Sequence, residues 1–394
     1  LIRGASVICF AQVDWDFNRQ MTQEAASAFA AAGNRVLYVE NTGVRNIRPR
    51  DARRLAARLR NWLRTRGAAA RNTEGVEILS PLLAPFPYSR AARALNARLL
   101  LRALRRWLRQ RAGGPLIVVT FLPTPLIRDV VRALAPDVFV YYCVDHMRAS
   151  SPGAARVVSS EQQIFAEADL VAVTSGELRD LAALFARRLI TIEAGVHVAA
   201  YDEARRSRHE PHPAFAGLRR PLIGFVGALR ASTDIALLAD VARRAPELDF
   251  MLCGPVMTGV SALAALPNIR LTGAIPPEEV PRYIVRFDAG VLPYVLDSFT
   301  AAIMPVKLKE YLAAGLPVVS TPLPEVLAFE RQHPGVVTFA RDAASFAEAL
   351  RAAPGAEQAG RRIEVAREFE WSRLMRRLLE CVAEQLDARS SDAA

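Results

Sequence analysis

Two series of short apolar runs constrain this chain most. Each series alternates with helical stretches, and one polar, proline-broken segment divides them. The first comprises residues 5–11 (ASVICFA), 35–40 (RVLYVE), 76–80, 116–120 (LIVVT), 138–142 (VFVYY), 170–174 (LVAVT) and 188–193. The second comprises 222–226 (LIGFV), 249–253 (DFMLC), 269–271, 289–292 and 316–321. Short β-rich runs bounded by turn residues read as buried strands, and their alternation with helices argues for doubly wound parallel sheets. A chain of 394 residues exceeds what one hydrophobic core ordinarily serves. The expected fold class is therefore α/β, with two Rossmann-like domains facing across a cleft. The first domain is expected over 1–199, a linker over 200–220 (Arg-rich, broken by Pro211 and Pro213), and the second domain over 221–370. A last helix is expected over 371–388, with disorder beyond it.

Open α/β sheets bind ligands at the carboxyl ends of their strands. There the segment 293–325, PYVLDSFTAAIMPVKLKEYLAAGLPVVSTPLPE, reads as strand end, loop, helix and strand. Pro305 suits the first helical position, where its missing N–H costs nothing. Gly315 suits the left-handed stop. A loop feeding a helix start presents free amides and partial positive charge to an anion. Lys307 in the first turn, with Glu310 one turn on, suits a nucleotide diphosphate: phosphates on the amides and Lys307, ribose hydroxyls on Glu310. Lysine occurs only at 307 and 309, every other basic residue being arginine, so a compact ammonium is wanted here. By helical period, Lys309 points elsewhere.

Other candidates also follow strands. Gly227 permits close backbone approach to a phosphate, and Arg230 can join Lys307 on the diphosphate. Asp145 follows a buried strand beside Tyr141 and Tyr142, where desolvation raises a carboxyl pKa as a general base requires; His146 is its rival. Asp14-Trp15-Asp16 follows the first strand. Trp15 can stack on a sugar, and Asp16 or Arg19 can touch acceptor hydroxyls, or the stretch is a polar loop with Asp16 as a helix cap. Two carboxylates alone do not make a metal site, and none is expected. Ser175 reads as a helix N-cap, and Gly195-Val196-His197 as a hinge element.

The pattern P-x-K-x-x-E-Y-L-A-A-G-x-P-V-V in 305–319 resembles the donor-site helix of GT-B glycosyltransferases of the family 4, group 1 type. It is similar to bacterial enzymes of teichuronic acid and xanthan synthesis. The resemblance implies a metal-independent transferase with a nucleotide-sugar donor, UDP-linked, as substrate and no cofactor. It implies a lipid-linked saccharide or polysaccharide acceptor, a last helix returning to the first domain, Asp145 as the base, and Tyr294 at the nucleotide. One departure matters. The family's first Glu of E-x7-E falls at Ala302, which removes a donor-sugar contact of retaining relatives and favours an Asp base with inversion. The alternatives are a nucleotide-sugar 2-epimerase, and a non-catalytic Arg-rich membrane- or RNA-binding module on this scaffold.

Charge adds a partner. The net charge of +11 concentrates in 45–66 and 90–111, where Leu and Trp recur at helical spacing between arginines. Such basic amphipathic helices suit an anionic membrane surface; nucleic-acid binding is not expected, and plain helices on a sheet are the other reading. Four scattered cysteines suggest neither disulfides nor zinc. No run reaches the ~18 residues of a membrane span. The expected location is cytoplasmic, peripheral on the inner membrane face. No G-x-G-x-x-G follows residues 5–11, which argues against a nicotinamide dehydrogenase.

Overall fold

A computed structural model describes residues 2–16, 19–40, 71–84, 89–110, 113–144, 157–207, 212–353 and 357–392. The chain divides into two compact units, Leu1–Glu193 with Ser372–Ala394, and Ala194–Trp371.

The first unit is built on eight strands: β1 (Ser6–Phe10), β2 (Arg35–Val39), β3 (Arg71–Thr73), β4 (Val76–Leu79), β5 (Leu116–Thr120), β6 (Val138–Cys143), β7 (Leu170–Val173) and β8 (Leu189–Thr191). Their order is β3-β4-β2-β1-β5-β6-β7-β8, parallel except for the β3–β4 pair. Helices α1 (Met21–Ala31), α2 (Arg90–Leu108), α3 (Pro125–Leu134), α4 (Val158–Glu167) and α5 (Gly176–Ala183) flank it. β1, β5 and β6 are buried along their whole length, which is why they read as continuous apolar runs rather than alternating ones. β3 escapes the apolar-run reading because RNT has no hydrophobic residue. It exists because Glu74 and Gly75 both take positive φ, 53° and 77°, the geometry of a tight hairpin turn.

Ser175 caps α5 through a bond from Leu178 N, as its type suggests. In α2, Leu100, Leu104 and Trp107 are buried on the core side, while Leu95 and Leu99 are exposed. The apolar positions of this basic helix thus divide between core and surface.

Glu161 of α4 is buried beneath β6. Tyr141 Oη donates to its carboxylate at 2.7 Å and Cys143 Sγ lies at 3.8 Å. Burial pushes its pKa up, with the two hydrogen bonds pulling it partly back. A raised folded-state pKa means that folding costs more once the free carboxyl would ionise, so stability falls as pH rises above about 4.3. Glu161→Gln keeps an acceptor for Tyr141. It is expected to melt higher than the parent at about pH 8 and with it at about pH 4; a variant that melts lower at the higher pH would contradict this account.

The second unit has six parallel strands: β9 (Leu222–Val226), β10 (Asp249–Cys253), β11 (Ile269–Gly273), β12 (Ala289–Leu292), β13 (Val318–Ser320) and β14 (Val337–Phe339). The order β11-β10-β9-β12-β13-β14 reverses direction between β9 and β12, the topological switch point where ligands of such sheets sit. Its helices are α6 (Val198–Arg206), α7 (Ile235–Arg244), α8 (Ser261–Ala264), α9 (Val280–Ile284), α10 (Val306–Ala313), α11 (Pro324–Gln332), α12 (Ala343–Ala352) and α13 (Ala359–Glu368). A final helix, α14, runs Trp371–Asp392.

Two expectations change. The stretch 200–220 is not simply a linker: 198–206 is helical, Val198 and Tyr201 are buried, and both join the core of the second unit. The unit boundary therefore falls at 193/194. Its arginines conceal an apolar i, i+3 pair. The last helix does not end at 388. Arg389 donates to the Pro136 and Asp137 carbonyls at 3.1 and 2.6 Å and pairs with Asp169 at 2.7 Å, so the final turn is anchored. The segment 45–66 lies outside the described residues.

Candidate functional site

Two loops meet at the switch point of the second unit. The one after β9 carries Gly227, and the one after β12 carries Tyr294. They are stitched by Asp234 N to the Pro293 carbonyl at 2.7 Å and Val295 N to the Ser232 carbonyl at 3.0 Å. Asp234 also caps α7, accepting from Leu237 N at 2.8 Å. Tyr294 N donates to Thr321 Oγ1 at 3.1 Å, joining the loop after β13. Asp297 Oδ1 accepts from the amides of Phe299 and Thr300 at 2.9 and 2.8 Å. The turn feeding α10 is thus held by its own hydrogen bonds.

Pro305 is the N-cap of α10 rather than its first residue, and no side chain caps this end. The amides of Val306 and Lys307 therefore open the helix, with its partial positive charge, at the strand ends. At the other end the Gly315 amide donates to the Leu312 carbonyl and the Leu316 amide to the Tyr311 carbonyl, both at 2.9 Å. With Gly315 at φ 78°, this is a Schellman stop.

Lys307 Nζ lies 4.1 Å from the centre of the Phe225 ring and 5.2 Å from that of Tyr294. It donates to Tyr294 Oη at 3.2 Å. Among the described residues no carboxylate lies within ion-pair distance of it. The Phe225 ring and the Tyr294 hydroxyl hold the ammonium. A Cβ on Gly227 would stand 2.9 Å from this Nζ, at φ 136°. Glycine at 227 thus leaves room for the ammonium as well as freeing the backbone.

Glu310 retains partial solvent contact although the surrounding protein encloses it deeply. Burial raises its pKa above the usual carboxylate range, while the Lys307 charge and a hydrogen bond from Tyr201 pull it down. Tyr311, next in the motif, is structural: Val226 N donates to its Oη at 3.0 Å beneath the end of β9. Lys309 is fully buried, donates to the Ala194 carbonyl at 2.8 Å and lies 4.1 Å from the Phe369 ring centre. It serves the fold. His197 reaches Glu370 at 4.0 Å, and Glu370 accepts from Val198 N at 2.8 Å, tying the start of the second unit to its end.

The structure thus brings Lys307, Glu310, Tyr294 and Gly227 together. Arg230 stands on the same loop as Gly227 but is exposed. Its amide reaches Thr233 Oγ1 at 3.4 Å, and its guanidinium makes no hydrogen bond or ion pair among the described residues. Two contributors escaped the sequence reading. Tyr201 lay in the presumed linker, where its spacing from Val198 was the available signal. Phe225 looked like an ordinary strand residue, and nothing local marked it as the floor beneath an ammonium.

In the first unit the proposed acceptor residues play a different part. Trp15 is 8% exposed, and its ring meets Tyr38 edge-on at 4.9 Å. Its amide donates to Glu40 at 3.0 Å. Arg19 is bound to Glu24 at 2.5 Å and Glu74 at 3.0 Å, fastening α1 to the β3–β4 turn. Neighbours within the unit thus engage both groups in packing and ion pairing. Asp16 is exposed. Asp145 and His146 lie outside the described residues. Among the described residues no group of three His, Cys, Asp or Glu could hold a metal ion, and no helix is long and apolar enough to cross a membrane.

Two Rossmann-like units, the second with Lys307 at an uncapped helix start beside its switch point, define an α/β protein of two doubly wound sheets. Residues 220–353 match the family model described as Glycosyl transferases group 1, so this segment is a group 1 glycosyl transferase domain. A Bacillus subtilis (strain 168) protein provisionally described as the teichuronic acid biosynthesis glycosyltransferase TuaH is 27% identical over 175 residues. That match covers 40% of this chain and 44% of the relative, so the two correspond over less than half their lengths. The fold is that of the GT-B glycosyltransferases. Sucrose-phosphate synthase from Thermosynechococcus elongatus superposes with a TM-score of 0.68 at 17% identity, over 98% of this chain and 100% of that one. Anabaena HepE in complex with UDP and glucose superposes with a TM-score of 0.64 at 12% identity, over 96% and 99%.

Proposed function

We propose that the chain is a glycosyltransferase moving a sugar from a nucleotide-diphosphate donor, UDP-linked, to a lipid-linked saccharide acceptor in cell-surface or exopolysaccharide synthesis. The observation that carries this is the Lys307 ammonium, held between Phe225 and Tyr294 at an uncapped helix start, with Glu310 one turn on. The amides of α10 and Lys307 bind the diphosphate and stabilise its charge as it leaves, without a metal. Glu310 takes the ribose hydroxyls, Arg230 reaches the diphosphate from the β9 loop, and Asp145 deprotonates the acceptor hydroxyl. The group 1 match and a solved structure of this fold that holds UDP and glucose support the reading.

UDP is expected to raise the melting temperature more than GDP or ADP, since a ligand that binds only the native state stabilises it. A chain that none of the three protects would refute the donor assignment.

Membrane binding rests on α2. Leu95 and Leu99 are 49% and 45% exposed and share their face with Arg98, Arg102, Arg106 and Arg109, which pair with no carboxylate among the described residues. No acidic residue occurs from 89 to 110. Vesicles containing anionic lipid are expected to bind the chain, and binding should weaken by roughly 1 kcal/mol per arginine replaced. Equal binding to neutral vesicles would argue for an ordinary surface helix.

A further inference from the structure

The first helix of the second unit, α6, runs beside α10. Arg205 of α6 donates to the Ala313 carbonyl at 2.6 Å, at the end of α10. Arg362 of α13 donates to the Gly315 carbonyl just beyond it at 3.2 Å. Two guanidiniums thus hold the carbonyl end of α10, where a helix carries partial negative charge.

Tyr201 stands one turn before Arg205 on α6, so the two share a face. Glu310 stands nearly one turn before Ala313 on α10. The grip at Ala313 therefore brings Tyr201 alongside Glu310, and the two side chains share a hydrogen bond. Tyr201 is 3% exposed and belongs to one core cluster with Leu308, Tyr311 and Leu312 of α10, so packing fixes its ring. Burial, and then the charge of Glu310, push its hydroxyl pKa well above the usual phenol range. The hydroxyl keeps its hydrogen and donates it to the carboxylate.

An ionised carboxylate offers about four acceptor sites, and Tyr201 uses one. Glu310 keeps partial solvent contact, so the others can meet a ligand. A free glutamate turns about several side-chain bonds, and ordering it costs entropy. A hydrogen bond from a residue locked in the core removes that freedom before a ligand arrives. The vicinal hydroxyls of a ribose need this, because both must meet carboxylate oxygens held in one orientation.

We propose that Tyr201 is the positioning residue for Glu310: its hydroxyl sets the carboxylate against the ribose diol of the donor and so gives the site its preference for a ribonucleotide. This rests on the assignment of Glu310 to the ribose.

Calorimetric titration of the full chain with UDP and with 2′,3′-dideoxy-UDP, which lacks both hydroxyls, tests it. The parent is expected to prefer UDP by about tenfold or more, as hydrogen bonds to a charged group allow. Tyr201→Phe keeps the buried ring. It is expected to cut that preference about fivefold or more, with affinity for the dideoxy ligand kept within about twofold. A hydroxyl that only supports the fold would weaken both ligands alike, so an unchanged preference overturns the inference. Should the phenylalanine variant not fold, Tyr201→4-fluorophenylalanine fills the space of the hydroxyl without donating and is read in the same way. Glu310→Gln is expected to lose most of the preference. If it does so while Tyr201→Phe keeps the parent's preference, the ribose assignment stands and the role of Tyr201 falls. If Glu310→Gln keeps the preference, or the parent binds no UDP, both fall together.

Discussion

Lys307→Ala is expected to lower UDP affinity by about a hundredfold and sugar transfer by a further factor of about a hundred or more, with the fold intact. A charge-assisted hydrogen bond to phosphate contributes about 1.5–3 kcal/mol. A preorganised cation where leaving-group charge develops adds about a hundred- to a thousandfold in rate. The fold should survive because Lys307 forms no ion pair among the described residues; truncation removes a contact with two rings, 4.1 and 5.2 Å away, and one hydrogen bond to Tyr294. Lys307→Arg is expected to fail as well. The space between Phe225 and Gly227 is cut for an ammonium, since even a Cβ on Gly227 would stand 2.9 Å from Nζ. Calorimetry with UDP and a transfer assay with far-UV circular dichroism as the folding control check this. Unimpaired transfer by the alanine variant would end the donor-site proposal.

Gly254→Ala is expected to destabilise the second unit by about 3 kcal/mol or more. Gly254 sits at φ 152°, and an added Cβ would stand 2.1 Å from the Gly227 carbonyl oxygen and 2.5 Å from its carbon. Neither atom can rotate away, because Gly227 N is bonded to the Cys253 carbonyl at 2.8 Å and Gly254 N to the Gly273 carbonyl at 2.7 Å. Backbone strain at such a φ costs about 1–3 kcal/mol, and overpacking typically adds about 1–3 kcal/mol. The displaced group is the Gly227 loop beneath Lys307, so any variant that still folds should also bind UDP more weakly. Denaturant unfolding followed by circular dichroism reads the first effect. A midpoint equal to the parent's would mean that the two loops move freely, contrary to the packing described.

Much of the scaffold was legible beforehand because its signals are local. Runs such as LIVVT and LIGFV are buried on both faces, and burial on both faces is what makes a strand read as uninterrupted apolar text. The stop of α10 was equally plain: glycine at 315 meets the backbone need for positive φ. β3 was not legible, since its three residues are polar and its existence depends on pairing with β4. The helix at 198–206 was hidden by arginines that carry charge outward while Val198 and Tyr201 turn inward. The surroundings of Trp15 were hidden for a related reason. An aromatic residue just after a strand looks available to a sugar, and only Tyr38 and Glu40, distant in sequence, show that its place is taken.

The proposed diphosphate site divides along the same line. Lys307, Glu310 and the opening of α10 follow from neighbours within one helical turn, so residue order alone accounts for them. That Phe225 supports the ammonium, that Tyr201 holds Glu310, and that Lys309 is spent on Ala194 rather than on a ligand all depend on groups brought together from separate elements. Residue types in order specify backbone geometry over a few positions; which side chains share a dielectric environment, and so which charges remain for a substrate, emerges when the sheet and its helices close around them.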